Sequence, residues 1–291
     1  MITTPEVVVE KVAASVGPTV VDNIAAGVPE RVVETAGFRS RREAAKGSTL
    51  FDMMLDAAKG LTDGIGGVVV ATYTAPDRMP SLSTGLASAL GLPGDIPAID
   101  LSAACSAYPY ALYVAGRLAA DTGSRILLLD GDLQSPFVDK ADAGTAALFS
   151  DAATATVVSC DPESSSRSHF AFLSRSSAAL SCSAAGPVKM DGFEVFSFVA
   201  AEVAEFLSDF AGKVGDVDCF VPHQANMFMV RRLAKSVGLS DRLLTSGEIY
   251  ANPGSCSVPL TLAHRRPRGR ALLAGFGAGL SAAAAAVRIM L

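Results

Sequence analysis

The chain has 291 residues, half of them hydrophobic and 18% charged, with a formal net charge of -5. A chain of this length buries a large core, as one domain or as two fused halves, and the composition excludes disorder. No basic surplus points to nucleic acid, no apolar run reaches the length of a membrane span, and the Met1 end lacks the basic-then-apolar order of a signal peptide.

Cys105, Cys160, Cys182, Cys219 and Cys256 are odd in number, scattered and without metal-ligand spacing. That usage predicts a reduced, cytoplasmic protein with no metal site.

Residues 1–36 read as a short helix or strand, then Thr19–Ala26 and a turn at Gly27-Val28-Pro29. A basic knot, Gly37 to Arg42, leads into Ser48–Leu61, where Leu50, Phe51, Met54, Leu55, Ala58 and Leu61 follow helical spacing. Val68–Ala71 is a β-branched run and predicts a buried strand. Ser81–Leu92 reads as a helix stopped by Pro93-Gly94. The strand Ala98–Leu101 then delivers Cys105, and a helix follows to about Ala120. Arg125–Leu129 predicts another buried strand, and Ala152–Val158 one more. The polar stretch Asp161–Ser166 marks a midpoint, dividing residues 1–163 from 164–291. Beyond it, His169–Leu173 reads as a strand and Phe193–Phe210 as a long helix. The strand Asp218–Val221 ends at Pro222-His223, before the helix Met227–Val237. Strands at Ala271–Ala274 and Ala283–Ile289 close the chain. This alternation implies an α/β protein whose sheet is covered on both faces.

Three residues with chemistry to offer fall at predicted strand ends. Cys105 stands at a strand-to-helix turn, where backbone N–H groups and the helix dipole stabilise a thiolate and lower the thiol pKa. Taken alone, a cysteine like this is more often inert core packing. His223 precedes a helix at a sheet edge, a place suited to a crevice but also to a structural histidine. Asn252, before Pro253-Gly254, fits simple turn chemistry as well. Gly275 to Gly279 follow a strand, where glycine admits a close ligand and free N–H groups form an oxyanion hole.

Together these features resemble the thiolase superfamily, and within it the β-ketoacyl-ACP synthase III branch. Ala103-Ala104-Cys105-Ser106-Ala107 is similar to the nucleophile turn, and Val221-Pro222-His223-Gln224-Ala225-Asn226 to the histidine motif. Asn252 with Ser257-Val258-Pro259 resembles the asparagine motif, and Phe276-Gly277-Ala278-Gly279 the terminal loop.

The resemblance implies a five-layered αβαβα fold of two pseudo-duplicated halves, normally a homodimer, with catalytic Cys105, His223 and Asn252 and the backbone near Ala278 holding an oxyanion. It implies an acyl-CoA or acyl-ACP primer, malonyl-ACP as second substrate, the acyl carrier protein as partner and no cofactor. Gly277, Gly279, Phe193 and Phe228 are then substrate-binding candidates, and Arg231 and Arg232 are carrier-docking candidates or a solvated helix face.

The sequence also departs from the family. It has no Trp, and Glu34-Thr35-Ala36 runs almost directly into Gly37, where relatives carry a CoA-stacking helix. The donor is then bound differently or carried on ACP. In the family the loop Ala75–Pro80 reaches the partner subunit's acyl tunnel. Arg78 and Met79 there suggest a primer with a distal carboxylate, against the simpler reading that Arg78 pairs with Asp77 or faces solvent. An acyltransferase acting on a hydroxyl or amine is the alternative activity, and a non-catalytic partner subunit ranks lower.

Overall fold

The structure is a computed structural model that describes residues 1–183 and 186–291. The first half supplies β1 (Glu6–Val16), β2 (Ile65–Ala71), β3 (Ala98–Leu101), β4 (Arg125–Asp132) and β5 (Ala152–Asp161), lying in the order β1-β5-β4-β2-β3. The second half supplies β6 (Ser168–Ser177), β7 (Cys219–Pro222), β8 (Arg268–Gly277) and β9 (Gly279–Met290), in the order β6-β9-β8-β7.

Strand sense repeats along with strand order. β1, β5 and β4 are successively antiparallel, and β4, β2 and β3 are parallel. In the second half β6, β9 and β8 are successively antiparallel, β8 and β7 are parallel, and Leu243 adds a parallel bridge beyond β7 at Phe220. The duplication that the resemblance implies is therefore present in topology, although the two sequences differ. The sheets join where Arg288 and Ile289 of β9 pair in parallel with Val8 and Val9 of β1.

The opening of the chain needed tertiary contacts to define it. Val7, Val8 and Val9 are buried in β1, which pairs along its length with β5. The short strand Ile2–Thr4 pairs instead with β6, so the first residues cross the division at 163/164 and join the second sheet.

Period-two alternation inside the apolar runs sorts side chains into layers. Val68, Val70, Leu127 and Leu129 pack outward beneath α1 (Leu50–Ala57) and α2 (Leu82–Ala89). Val69, Ala71, Ile126 and Leu128 pack inward against α3 (Ala107–Thr122). The second sheet is covered outside by α4 (Gly192–Phe198), α5 (Ala204–Val214) and α6 (Met227–Ser236). Inside, α7 (Ser257–Arg265) lies beside α3 in the shared core, through Val258 and Leu262. The result is the five-layered αβαβα arrangement.

Local chemistry sets the helix ends. Thr49 and Asp52 form a reciprocal capping box on α1, and the Asn226 side chain caps α6 by accepting from Met229 N at 2.8 Å. The long helix expected over Phe193–Phe210 is α4 and α5 joined by a π-turn at Val199–Val203. Among the described residues no helix is long and apolar enough to cross a membrane.

Candidate active site

The nucleophile turn is built on a strained residue. After β3, Ala104 adopts φ 43 and opens a 3-10 turn, Ala104–Ser106, that runs into α3. A left-handed alanine costs about 1 kcal/mol or more and persists only where its surroundings enforce it. The second half repeats the device with Gly254 (φ 64) opening the turn Gly254–Cys256 before α7. Cys105 and Ser255 thus occupy matching places at the heads of the two central helices. Ala251, immediately before Asn252, is also left-handed at φ 54.

His223 continues from β7, its backbone N–H donating to Ala274 O at 2.7 Å. Its Nδ1 lies 2.6 Å from Ser257 Oγ, and Phe276 meets its ring edge-on. Gln224 is a buried clamp, donating through Nε2 to Pro222 O and accepting at Oε1 from the N–H groups of Ser246 and Gly247. Asn252 is held on three sides. Its N–H donates to Leu148 O, its carbonyl accepts from Ser150 N and Gln134 Nε2, and its Oδ1 accepts from Gly254 N at 3.0 Å. That last bond leaves the Asn252 Nδ2 as the free end.

Cys105, His223 and Asn252 line one cavity of about 480 Å³, whose other walls include Phe196, Phe228, Phe276 and Thr35. A smaller chamber of about 150 Å³ shares Cys105, Phe149 and Leu180 with it and adds Tyr73, Cys182 and Ala278. Cys105 therefore meets His223 and Asn252, each more than a hundred residues further along the chain, at one apolar-walled space.

Burial dominates the electrostatics. The Cys105 thiol is pushed up to about 12 by burial and by the Asp132 carboxylate, opposed by its own backbone N–H. A helix N-terminus predicts a lowered thiol pKa; instead, desolvation of Cys105, only 7% exposed, raises it, opposed only by its own backbone N–H. Burial pushes His223 down to about 3, so its imidazole is neutral near pH 7. Asp132 accepts from Thr72 Oγ1, Tyr73 N and Thr74 Oγ1 on one oxygen and from Ser255 N on the other, tying the two halves together. Asp130 is fully buried with neither oxygen partnered, and burial followed by Asp132 pushes it well above the usual carboxylate range.

The terminal glycines serve close approach to the nucleophile as much as to a ligand. A Cβ on Gly275 would stand 2.8 Å from Ser106 Cα, and one on Gly277 would stand 2.7 Å from Cys105 Cβ. Gly277 lines the larger chamber and Ala278 the smaller.

Several other candidates stand elsewhere. Gly279 lines neither chamber, being turned against Ser281. Phe193 is 82% exposed and outside both chambers, standing in the first turn of α4, whereas Phe196, about one turn further on, lines the larger chamber. Arg78 and Met79 are exposed and touch neither chamber of their own chain. Phe228 does line the cavity, stacked on Phe196 at 6.0 Å. Arg231 pairs with Glu248 at 3.2 Å, and Arg232 lies over the Phe196 ring. Sequence reasoning did not single out Tyr73, Asp132 or Gln134, and it placed Ser257 in the asparagine motif without giving it a role. Ser257 alone carried a signal, five residues past Asn252 at the start of a helix.

A duplicated α/β fold with a cysteine at the head of one central helix, facing a histidine and an asparagine, defines a thiolase-superfamily protein of the condensing type. The family profile of 3-oxoacyl-[acyl-carrier-protein] synthase III matches residues 99–176, and that of its C-terminal part matches residues 207–289. The chain is 30% identical over 293 residues to the β-ketoacyl-[acyl-carrier-protein] synthase III of Caulobacter vibrioides, covering 89% of this chain and 91% of that one. It is 33% identical to synthase III 2 of Deinococcus radiodurans, over 88% and 85% of the two chains. Among solved structures it is similar to a 3-oxoacyl-(acyl-carrier protein) synthase from Burkholderia xenovorans, with TM-score 0.91, 27% identity and 99% and 95% coverage. It is also similar to the priming β-ketosynthase of the R1128 polyketide pathway, with TM-score 0.89, 28% identity and 98% coverage of each chain. The chain belongs to the β-ketoacyl-ACP synthase III family.

Proposed function

We propose that the protein catalyses a decarboxylative Claisen condensation between an acyl thioester primer and malonyl-ACP, through an acyl-enzyme on Cys105. The observation that carries this reading is the meeting of Cys105, His223 and Asn252 in one cavity, with the back of each polar side chain already bonded to protein. In the first step the Cys105 sulfur bonds to the acyl carbon, the carrier C–S bond breaks, and the thiol proton leaves on the departing thiol. The backbone N–H groups of Cys105 and Ala278 hold the oxyanion. In the second, malonyl-ACP loses CO2 and the electron pair enters an enolate, whose oxygen accepts hydrogen bonds from His223 and Asn252. The resulting carbanion attacks the acyl carbonyl, the bond to Cys105 breaks with its sulfur taking a proton from solvent to restore the thiol, and β-ketoacyl-ACP leaves.

Neutral N–H donors suit an enolate, because they stabilise developing charge without surrendering a proton. Asn252 has no basic atom to activate a hydroxyl, which disfavours the acyltransferase alternative. Arg231 and Arg232 on α6, beside the cavity wall, form the docking face for an acidic carrier protein. A second copy of the chain completes the acyl chamber through the loop bearing Arg78 and Met79. A nucleophilic thiol requires a reducing compartment, in keeping with the cytoplasm.

The test is product formation from an acyl-CoA or acyl-ACP panel with malonyl-ACP, followed by mass spectrometry of the carrier. Wild type yields β-ketoacyl-ACP, while Cys105→Ala and Asn252→Ala lose it. Product from Cys105→Ala at the wild-type rate would refute the reading.

A further inference from the structure

We propose that Ser257 is a positioning residue that fixes His223 as the Nε2–H tautomer, making the imidazole a hydrogen-bond donor to the reacting oxygen and not a base for Cys105. The inference deepens the condensing reading above and rests on it for the identity of that oxygen.

A single short contact, 2.6 Å between His223 Nδ1 and Ser257 Oγ, carries one proton, belonging to one partner or the other. The neighbours of Ser257 decide which. Its Oγ accepts from the Gln224 backbone N–H at 3.4 Å, and Gln224 is fully buried. The Ser257 hydroxyl hydrogen has no other acceptor among the described residues. With Nδ1 unprotonated, Ser257 donates to it, and Nδ1, the Ser257 hydroxyl and the Gln224 N–H are all paired. With Nδ1 protonated, the hydroxyl hydrogen is left buried and unpaired in a side chain 1% exposed. Such a loss shifts the tautomer ratio by roughly tenfold to a hundredfold. The ring is neutral near pH 7, so this ratio alone decides which nitrogen carries hydrogen.

The free nitrogen then acquires a definite role. His223 Nε2 has no partner among the described residues, and the ring lines the cavity with Cys105 and Asn252. Asn252 is arranged in the same way: Gly254 N–H takes its Oδ1, so Nδ2 is the end left for a ligand. Both bonds come from one short segment, Gly254 to Ser257, which forms the entry to α7. One helix start therefore presets two donors. It also removes His223 from the deprotonation of Cys105, since an Nε2 that carries hydrogen accepts no thiol proton.

The test uses full-length protein labelled with ¹⁵N-histidine. The chain holds only His169, His223 and His264, so His169→Gln and His264→Gln leave one ring to assign. At pH 7 the expected spectrum shows His223 with Nε2 protonated and Nδ1 bare, moving toward a mixture in Ser257→Ala. A protonated Nδ1 in the wild type overturns the proposal. Kinetics supply a second readout. Ser257→Ala lowers decarboxylation of malonyl-ACP at least about tenfold, keeps Cys105 acylation within about threefold of wild type, and is largely rescued by Ser257→Thr. An equal fall in both half-reactions, unrescued by threonine, also overturns it. If the tautomer is as stated but the wild type forms no β-ketoacyl product, the condensing reading fails and the assignment of Ser257 stands.

Discussion

A methyl group placed on Gly277 would lie 2.7 Å from Cys105 Cβ and 3.3 Å from its Sγ, closer than real Cβ atoms come to a neighbour. Ordinary contact begins at 3.4 Å, so the strand end and the nucleophile turn must part by roughly 0.7 Å. Neither side yields readily. Gly275 already sits against the backbone of Cys105 and Ser106, and Cys105 heads α3 from a left-handed alanine. Overpacking of this kind costs about 1–3 kcal/mol of stability. The same displacement, applied to a reacting sulfur, lowers its rate on the order of 100-fold. The assay is the rate of Cys105 acylation by intact mass, with thermal unfolding measured in parallel. Gly277→Ala is expected to stay folded with a reduced melting temperature and to acylate about two orders of magnitude more slowly. Acylation at the wild-type rate would show that the β8 end does not set the position of the thiol.

Three further outcomes follow from the same geometry. With its thiol at about 12, Cys105 should react with iodoacetamide about tenfold faster for each unit from pH 6 to 9, and a plateau near neutrality would contradict the burial argument. Asp130 has a raised folded pKa, so its contribution to stability is complete below the unfolded value of 3.8 and is lost as pH rises. Asp130→Asn should therefore flatten a slope of about 1.4 kcal/mol per pH unit above that point, gaining more over wild type at pH 8 than at pH 5 in denaturant titrations; equal gains at both would exclude it. Phe196→Ala should raise KM for the acyl donor several-fold while Phe193→Ala leaves it unchanged, and the reverse pattern would mean that the donor lies against Phe193 rather than in the cavity lined by Phe196.

The turn that carries Cys105 was legible because a short apolar strand, small residues and a helical pattern follow one another without interruption. His223 and Asn252 were legible through their neighbours: Gln224 and Asn226 are needed as clamp and cap, and so leave a pattern around the histidine. What could not be read depends on contacts between distant segments. Asp132 meets Ser255 N, and Gln134 meets the Asn252 carbonyl, across more than a hundred residues of chain. Burial along α4 was also hidden. Phe193 and Phe196 are neighbours on one helix face, and only the packed structure shows Phe196 lining the cavity while Phe193 stays exposed. The raised thiol pKa was hidden for a related reason: a helix N-terminus is visible in sequence, whereas the desolvation that raises the thiol is a property of the packed core. The strand at Glu6–Val16 was ambiguous because it is defined by its partner β5.

The central claim is that the acyl group passes through Cys105. Intact-protein mass spectrometry during a single turnover tests it most directly, with acetyl, octanoyl and glutaryl donors and Cys105→Ala as control. The account predicts one acyl adduct per chain on Cys105, stable until malonyl-ACP is added and then discharged with one CO2 per adduct. Discharge of the adduct without CO2 release, or β-ketoacyl-ACP formed with no adduct at any time, would contradict it.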